Sequence, residues 1–498
     1  MTTTKKNIIA NYVGRTWSFL SVFIFVPFYL KLLGSEAYGI VSFFTVLLGM
    51  MAFADAGLTA TLNREFARTD RTFSYKANLL TSIEVIYCFI CLVVILFFWV
   101  LSPIITKNWL DVENIPVEDA VRYVKMIGVC IAFQLPCSLY QGGLLGLQKQ
   151  VLTNSLQIVW SLFRSGFLLW PLYFFPTLDT YFGWTIGINV IYLLVLRNIV
   201  KKQVKTTEKT HFSKQILADV WRYAVGMMIM SMLSAVLMQA DKLITSNVFA
   251  LSEFGYYTLA STIAQAPLMI VTPIGIAILP KLTGLISGGK QKEMLYLFRK
   301  TNFIITVIAS IVVLALIIYM PDILFLWTRN TELVASVTQV ARILCLGSLF
   351  QALPLMPFYL GIANGHTKTN VLVGIFSILF LVPAIFLLIQ ILGIIGAGIP
   401  WLVMSFVTFF VLGYLIFKKF APGYFHTWLL EDTLKPFFAL LILSGLLYFI
   451  TYKLPHNWYV LGYCAIFGVI GVIICALMFN RKFPEEKVFY RIRNLIKI

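Results

Sequence analysis

Apolar segments of about 20 residues recur along the whole chain, and each is long enough to cross a bilayer as an α-helix. Hydrophobic residues make up 60% of the 498 residues, and charged residues only 12%. The longest hydrophilic gaps, at 102–119 and 198–219, are too short for a soluble domain. Because a helix satisfies its own backbone hydrogen bonds in lipid, the sequence predicts an all-α polytopic membrane protein.

Positive charge alternates between the loops that join these segments. The chain has 39 Lys and Arg, and one alternate set of loops carries only Lys31, Lys107, Arg329 and Lys453. Positive loops resist translocation, so the basic set is expected in the cytoplasm. The net charge of +18 is spread over many short loops, which argues against nucleic-acid binding.

The apolar pattern predicts about fourteen transmembrane helices, an even number that places both termini in the cytoplasm. They are expected at residues 8–30, 38–62, 79–101, 121–146, 152–175, 181–198, 221–249, 254–280, 302–320, 334–362, 370–391, 395–417, 435–452 and 458–479.

Two segments recur six helices apart. YQGGLLGLQKQ at 140–150 matches YLGIANGHTKT at 359–369, and LGSEAYGI at 33–40 matches ALSEFGYY at 250–257. Six is an even number, so both repeats insert with the same orientation, and a transporter of this design binds its substrate between the repeats. The predicted divisions are a six-helix lobe at 1–200, a second at 215–418, an additional helix pair at 433–480 and a basic cytoplasmic tail at 481–498.

Several polar residues fall within the predicted spans, where a charged side chain costs about 2.5–3.5 kcal/mol at the helix centre. Asn154, Gln157 and Arg164 follow one helical face, and Arg164 lies near the middle of its span with no acidic residue close in sequence. The residues predicted to bind substrate are Arg15, Arg164, Arg342, Lys242, Asn11, Asn154, Gln157 and Gln265. Those predicted to couple transport to an ion or to form charge pairs are Asp55, Asp241 and Glu84.

A mainly cationic cavity predicts an anionic or phosphate-bearing substrate, because the guanidinium group binds phosphate through a planar fork of donors. No GxxxxGK[ST] sequence is present, so ATP is not the expected energy source. A proton gradient, a sodium gradient and the membrane potential are the remaining candidate energy sources. No metal site and no cofactor are expected. An enzyme is not expected either, since the acidic residues of loop 102–119 are best explained as solvated and all four histidines lie in loops.

The segment 11–58, with LGSEAYG between the first two helices and DAGL in the second, resembles the Wzx-type O-antigen flippases. The segments GLQKQ and NGHTK are similar to that family too. The resemblance places the chain in the multidrug/oligosaccharidyl-lipid/polysaccharide exporter superfamily. It implies two six-helix lobes in a V-shaped, MATE-like arrangement, with an added C-terminal helix pair. It also implies that Arg15, with Arg164 and Arg342, contacts a diphosphate.

By this resemblance the expected function is translocation of undecaprenyl-diphosphate-linked oligosaccharide, an O-antigen or similar repeat unit, across the bacterial plasma membrane by alternating access. The implied partners are membrane lipid, the polyprenyl-diphosphate-linked oligosaccharide, a polysaccharide polymerase and a chain-length regulator. Two alternatives stay open. One is a flippase for another lipid-linked precursor, such as a peptidoglycan, teichoic or capsular unit, and the other is a MATE-type antiporter for drugs or cations.

Overall fold

The structure is a computed structural model that describes residues 3–206, 210–366, 368–454 and 458–482. Side chains are described from residue 14 onward, apart from those of residues 15, 18, 19, 52, 481 and 482. The predicted basic tail therefore lies almost wholly outside the described residues. The chain divides into two compact units, Met1–Gly255 (unit 1) and Tyr256–Ile498 (unit 2).

The regular secondary structure of the described residues is helical. Unit 1 contains α1 (Thr3–Leu33), α2 (Ser35–Met50), α3 (Leu58–Ala67), α4 (Phe73–Asn108), α5 (Val117–Gly146), α6 (Gln150–Ser161), α7 (Leu169–Phe174), α8 (Leu178–Gln203) and α9 (Lys214–Val248). Helix α10 (Leu251–Ala264) begins in unit 1. Unit 2 continues with α11 (Ala266–Ser287), α12 (Gln291–Ile318), α13 (Met320–Thr328), α14 (Thr331–Ala352), α15 (Leu355–Ala363), α16 (Lys368–Leu392), α17 (Ile394–Phe420), α18 (Lys435–Thr451) and α19 (Tyr459–Lys482).

Within the described part of the chain, twelve helices are long and apolar enough to cross a membrane. The first predicted span lies in α1, and its part with described side chains includes the apolar stretch Leu20–Leu33. The fifth is divided into α6, a π-helical turn and α7. The all-α membrane fold is therefore confirmed, while the number of fourteen helices stays a prediction.

Side-chain caps explain where several helices begin. Thr72 accepts a hydrogen bond from the backbone N–H of Tyr75 at the start of α4, and Ser213 accepts one from Ile216 at the start of α9. Each cap satisfies one of the N–H groups that a helix leaves without an internal partner. Hydroxyl residues placed just before the apolar runs thus fix the register in which these helices begin.

The prediction of one continuous helix at 38–62 is wrong. A 3₁₀ turn at Met51–Asp55 and two left-handed residues, Ala56 and Gly57, separate α2 from α3. Glycine is needed at position 57 because its φ is +70° and its Cα faces the Ala224 carbonyl of α9 too closely for a Cβ. The polar side chain at position 55 therefore lies at a helix break.

Helix α5 lies at the centre of unit 1 and packs against α3, α4 and α8. Gly142 and Gly146, from the repeated YQGGLLGLQKQ segment, let α3 approach closely. A Cβ at Gly142 would lie 2.7 Å from Thr59 Cγ2, and one at Gly146 would clash with the Asn63 carbonyl. Small residues at helix contacts allow the close packing that stabilises helix pairs in lipid.

Helix α9 packs against α2, α3 and α4 within unit 1, although the sequence assigns it to the second repeat. The sequence repeats and the packing units thus differ by one helix. The predicted lobe boundaries at 200 and 215 describe the repeats, and they stay a prediction.

The loop that joins α3 to α4 belongs to the predicted cytoplasmic set. The buried Glu65 forms ion pairs with Arg71 at 3.3 Å, Arg68 at 3.7 Å and Arg64 at 3.9 Å. Arg68 also donates hydrogen bonds to Asp70, which lowers the pKa of that carboxyl to about 2. The charges of this loop are therefore arranged in one connected network of ion pairs.

The loop between α4 and α5 is bound by the carboxylate of Glu36, a residue of the first turn of α2 that is 8% exposed. This carboxylate accepts backbone N–H groups from three successive residues, Glu113 at 2.7 Å, Asn114 at 3.0 Å and Ile115 at 3.4 Å. The repeated LGSEAYGI segment thus contributes the anion that orders this loop.

We expect Glu36→Ala to lower the free energy of unfolding by about 1–2 kcal/mol, because hydrogen bonds to a charged acceptor are lost from three amides. The thermal unfolding midpoint in detergent measures the change. The matched control is Glu253→Ala in the second copy of the segment, where the glutamate is exposed and should contribute within about 0.5 kcal/mol. Equal midpoints for the two variants would contradict this role of Glu36.

The C-terminal pair, α18 and α19, packs on α12 through one apolar cluster in unit 2. Its buried members are Phe303, Val307, Leu314, Leu440, Phe467, Cys475 and Phe479. A π-helical segment, Thr427–Leu434, precedes α18 and contains the buried Asp432. The additional helix pair is therefore an integral part of unit 2.

Candidate polar site in the membrane domain

Arg164 lies on a π-helical turn, Leu162–Gly166, between α6 and α7. The N–H of Phe167 bonds to the carbonyl of Leu162, five residues earlier, at 3.0 Å. The predicted unbroken helix at 152–175 is therefore wrong. A π turn contains one residue more than an α turn, so it changes the direction in which Arg164 points relative to Asn154, and such turns occur often at functional sites.

Neighbouring helices satisfy the backbone of this turn. The Tyr29 hydroxyl of α1 donates to the Ser165 carbonyl at 2.6 Å, and the Trp184 indole N–H of α8 donates to the Phe163 carbonyl at 2.9 Å. Backbone groups left unpaired in lipid cost several kcal/mol, so these two side chains stabilise the irregular turn. The π turn is thus stabilised by contacts with two neighbouring helices of unit 1.

Aromatic rings surround the guanidinium group of Arg164, which is half-buried. Its Cζ lies 5.0 Å from the centre of the Trp160 ring and 5.8 Å from that of Phe44. The Tyr181 hydroxyl of α8 also interacts with it. Among the residues that the structure describes, Arg164 forms no ion pair.

Trp160 is held in place on its other face. Its ring stacks on Tyr192 with centres 5.0 Å apart and planes 15° apart, and its N–H donates to Asn189 Oδ1 at 3.3 Å. Gln141 of α5 in turn donates to the Tyr192 hydroxyl at 2.8 Å. Contact with the face of a ring does not use the N–H donors of a guanidinium group, so the donors that Tyr181 does not bind stay available for an anion.

Four of the predicted binding residues belong to α1 and α6, which pack against each other. Asn154 Nδ2 donates to the Gln150 carbonyl at 2.8 Å, and its Oδ1 lies against Gly14 of α1. The contact at Gly14 brings the backbone on either side of it close to α6. The side chains of Asn11 and Arg15 lie outside the described residues. Gln157 is half-buried one turn after Asn154.

Two predicted binding residues lie in unit 2. Arg342 of α14 donates from Nε to the Ile317 carbonyl at the end of α12, at 2.8 Å. A cation at this place is stabilised by the negative end of the helix dipole. Gln265 lies at the junction of α10 and α11, where it precedes Pro267.

The acidic residues in the spans have partners in unit 1. Asp55 accepts hydrogen bonds from the Thr59 backbone and hydroxyl and from the Tyr87 hydroxyl, so it caps α3. Glu84 forms ion pairs with Arg197 at 3.1 Å and Lys201 at 2.9 Å, and it also accepts from Tyr140 at 2.6 Å.

The last predicted acid is Asp241, whose Oδ1 lies 3.6 Å from the Nζ of Lys242 on the same helix. Lys242 Nζ also donates to the Met238 carbonyl at 3.1 Å. Of the predicted binding cations whose side chains are described, Arg342 and Lys242 bind groups of the protein, whereas Arg164 forms no ion pair. In the described part of the chain, no group of His, Cys, Asp and Glu side chains has the arrangement of a metal site.

Sequence reasoning missed the aromatic shell around Arg164. Its members are Tyr29, Phe44, Trp160, Tyr181 and Tyr192, and they come from four different helices. A signal was present, since aromatic residues follow the apolar face of α8. It was not specific, because aromatic residues are also common in helices that only face lipid.

Comparison with known proteins agrees with this description. A family model described as polysaccharide biosynthesis protein matches residues 4–285. A Shigella flexneri protein named "Putative O-antigen transporter" is 22% identical over 397 residues, which cover 80% of this chain and 93% of that protein.

Solved structures share the fold. The structure of lipid II flippase MurJ in an inward closed conformation has a TM-score of 0.71 at 14% identity, covering 95% of this chain and 98% of its own. An inward-facing multidrug resistance MATE family transporter of the MOP superfamily has a TM-score of 0.65 at 16% identity, covering 82% of this chain and 96% of its own.

These relatives are transporters and flippases, in line with the expectation that this chain is not an enzyme. The MATE-like fold that the sequence resemblance implied is confirmed, and the lipid II flippase MurJ shares it. Because the family model spans more than half of the chain, this protein belongs to the polysaccharide biosynthesis protein family, and its resemblance to the Wzx-type flippases is confirmed.

Proposed function

We propose that this protein is a flippase that moves an undecaprenyl-diphosphate-linked oligosaccharide, an O-antigen or similar unit, across the bacterial plasma membrane by alternating access. The observation that carries the proposal is Arg164, an arginine within the apolar helices of unit 1 that forms no ion pair in the described part of the chain. Membership in a polysaccharide biosynthesis family supports a saccharide-bearing substrate.

The energetic cost of Arg164 argues for an anionic ligand. An arginine at the centre of a membrane helix costs about 2.5–3.5 kcal/mol on insertion scales. Acidic residues in unit 1 would offset that cost, yet Glu84 pairs instead with Arg197 and Lys201. A diphosphate supplies the missing negative charge and has the oxygen geometry that a guanidinium group binds with two parallel hydrogen bonds.

Other predicted residues extend this binding set. Asn154 and Gln157 lie on the same helix as Trp160, and in the proposal they hydrogen-bond the headgroup together with Asn11 and Arg15 of α1. The remaining members of the proposed set are Lys242, Gln265 and Arg342. Lys242 and Arg342 already bind groups of the protein, so in the proposal they contribute less than Arg164.

In the same proposal the chain consists of repeats at 1–200 and 215–418, with both termini in the cytoplasm. A proton gradient, a sodium gradient or the membrane potential drives transport, with Asp55 and Asp241 as the residues proposed to couple it. The proposed partners are a polysaccharide polymerase and a chain-length regulator, which use the translocated unit.

The fold alone leaves two further candidates. Its likeness to lipid II flippase MurJ supports a different lipid-linked precursor, such as a peptidoglycan, teichoic or capsular unit. Its likeness to a multidrug resistance transporter supports an antiporter of cationic drugs. The second candidate is disfavoured by Arg164, because a cation in this site repels a cationic drug.

Reconstitution separates the three candidates. The purified protein is placed in liposomes with a fluorescent undecaprenyl-diphosphate oligosaccharide, with fluorescent lipid II, or with a cationic dye. We expect translocation of the lipid-linked oligosaccharide and no transport of the dye. Transport of lipid II at a higher rate would favour the first alternative, and transport of the dye alone would overturn the proposal.

A further inference from the structure

Four buried polar atoms without a hydrogen-bond partner occupy equivalent positions in the two repeats. They are Gln134 Oε1 and Asn189 Nδ2 in unit 1, and Gln351 Oε1 and Ser405 Oγ in unit 2, with partners sought among the described residues. Gln351 follows Gln134 by 217 residues, and Ser405 follows Asn189 by 216. The repeated sequence segments are 217 and 219 residues apart, so the two pairs lie at similar places on the fourth and sixth helices of the repeats.

In unit 1 the two residues lie on α5 and α8, which pack against each other. Cys130 Sγ lies 3.9 Å from the Phe182 carbonyl, and Cys137 Sγ lies 4.0 Å from the Asn189 carbonyl, so this face of α5 rests on α8. Gln134 is four residues after the first cysteine and three before the second, on the same helical face. It therefore lies within one turn of Asn189, which is fully buried.

Unit 2 repeats this arrangement between α14 and α17. Gly347 lies against the Trp401 ring, and a Cβ at Gly398 would lie 3.0 Å from Val340 Cγ2. Gln351 and Ser405 each lie one turn beyond this contact, on the facing sides of the two helices. Ser405 is 1% exposed.

Buried polar atoms without partners are costly, at about 1–3 kcal/mol each, and ordered water is the usual means by which proteins satisfy them. In unit 1 the orientation of the amide is fixed, because Asn189 Oδ1 accepts from the Trp160 indole at 3.3 Å. The pair thus presents one acceptor, on Gln134, and one donor, on Asn189.

A metal ion suits only acceptors and an anion suits only donors, whereas a water molecule donates and accepts. We propose that each repeat binds one ordered water molecule between its fourth and sixth helices, at Gln134 and Asn189 in unit 1 and at Gln351 and Ser405 in unit 2. In unit 1 this water completes the hydrogen bonding of the amide that holds Trp160, the ring on which Arg164 stacks.

The sign of a stability change tests the proposal in each repeat. The variants are Gln134→Leu and Gln351→Leu, which nearly keep the side-chain volume and replace the amide with methyl groups. In a dry site the change deletes an unsatisfied group and raises the unfolding midpoint of the protein in detergent. In a hydrated site the change removes one hydrogen-bond partner of the water and leaves the other buried polar group unsatisfied. We therefore expect a lower unfolding midpoint. A higher midpoint would overturn the proposal for that repeat.

X-ray radiolytic footprinting of the unaltered protein gives a second, independent measurement. A bound water forms hydroxyl radicals in place, so we expect rapid oxidation of the buried Cys137 and Phe409, next to the two sites. Cys475 and Phe467 are equally buried in the apolar cluster of unit 2, and they serve as controls that should stay unmodified. If Cys137 and Phe409 are modified no faster than these controls, the sites are dry and the proposal is wrong.

Discussion

Arg164→Ala is expected to abolish polysaccharide export while the protein stays in the membrane at its normal level. The substitution removes the guanidinium group that, in the proposed function, binds the diphosphate through charge-assisted hydrogen bonds. Losing one such interaction costs roughly 2–5 kcal/mol, which corresponds to a decrease in export of about 30-fold or more. Surface polysaccharide per cell, measured beside the protein level by immunoblot, gives the result.

Three comparisons show that any such loss is specific to the site. Arg164→Lys keeps the charge but not the planar fork, so an intermediate loss is expected. Trp160→Leu removes the ring on which the guanidinium group stacks, and it should lower export less than Arg164→Ala does. Arg222→Ala changes an exposed arginine of α9 and should leave export unchanged. Normal export by Arg164→Ala would contradict the assignment of Arg164 to diphosphate binding.

Asp432→Ala is expected to destabilise unit 2 by about 3–5 kcal/mol, because it leaves the partly buried Arg299 without its close partner. The carboxylate of Asp432 is fully buried and accepts from Arg299 Nε at 2.9 Å and Nη2 at 3.1 Å. Beside it, the buried Trp428 donates to Asn302 of α12 at 3.0 Å. The unfolding midpoint, and the rate at which a protease cleaves residues 421–434, measure the loss.

Glu431 provides the matched control. It is the neighbouring residue and also binds Arg299, at 3.1 Å, but its side chain is 57% exposed. Solvent screens such a pair, so Glu431→Ala should cost no more than about 1 kcal/mol. Equal effects of the two substitutions would show that burial of the Asp432 carboxylate does not determine how the C-terminal helix pair is attached.

Much of the fold was predictable from local properties of the sequence. Apolar runs of membrane-spanning length require helices, because lipid offers no other hydrogen-bond partners to the backbone. The repeated segments identified the glycines at which helices cross, such as Gly142 and Gly146 in α5. Arg164 was identified as a candidate because a charged residue inside an apolar run is rare whatever its tertiary surroundings.

Other features required contacts between distant residues. The π turn around Arg164 depends on side chains from α1 and α8 that bind the Ser165 and Phe163 carbonyls. The break between α2 and α3 depends on Asp55 binding Thr59 and Tyr87. Within an apolar run, nothing local distinguishes these residues from ones that simply continue a helix.

The sequence by itself determined that this chain forms apolar membrane helices, because helix formation and membrane insertion depend on composition along short segments. Only the tertiary structure decided which polar residues pair with one another. Glu84, Asp241 and Asp432 have cationic neighbours, whereas Arg164 is surrounded by aromatic rings. The physical reason is that pairing depends on the rotation and depth at which helices pack, and these are set by side-chain shape across many helices at once.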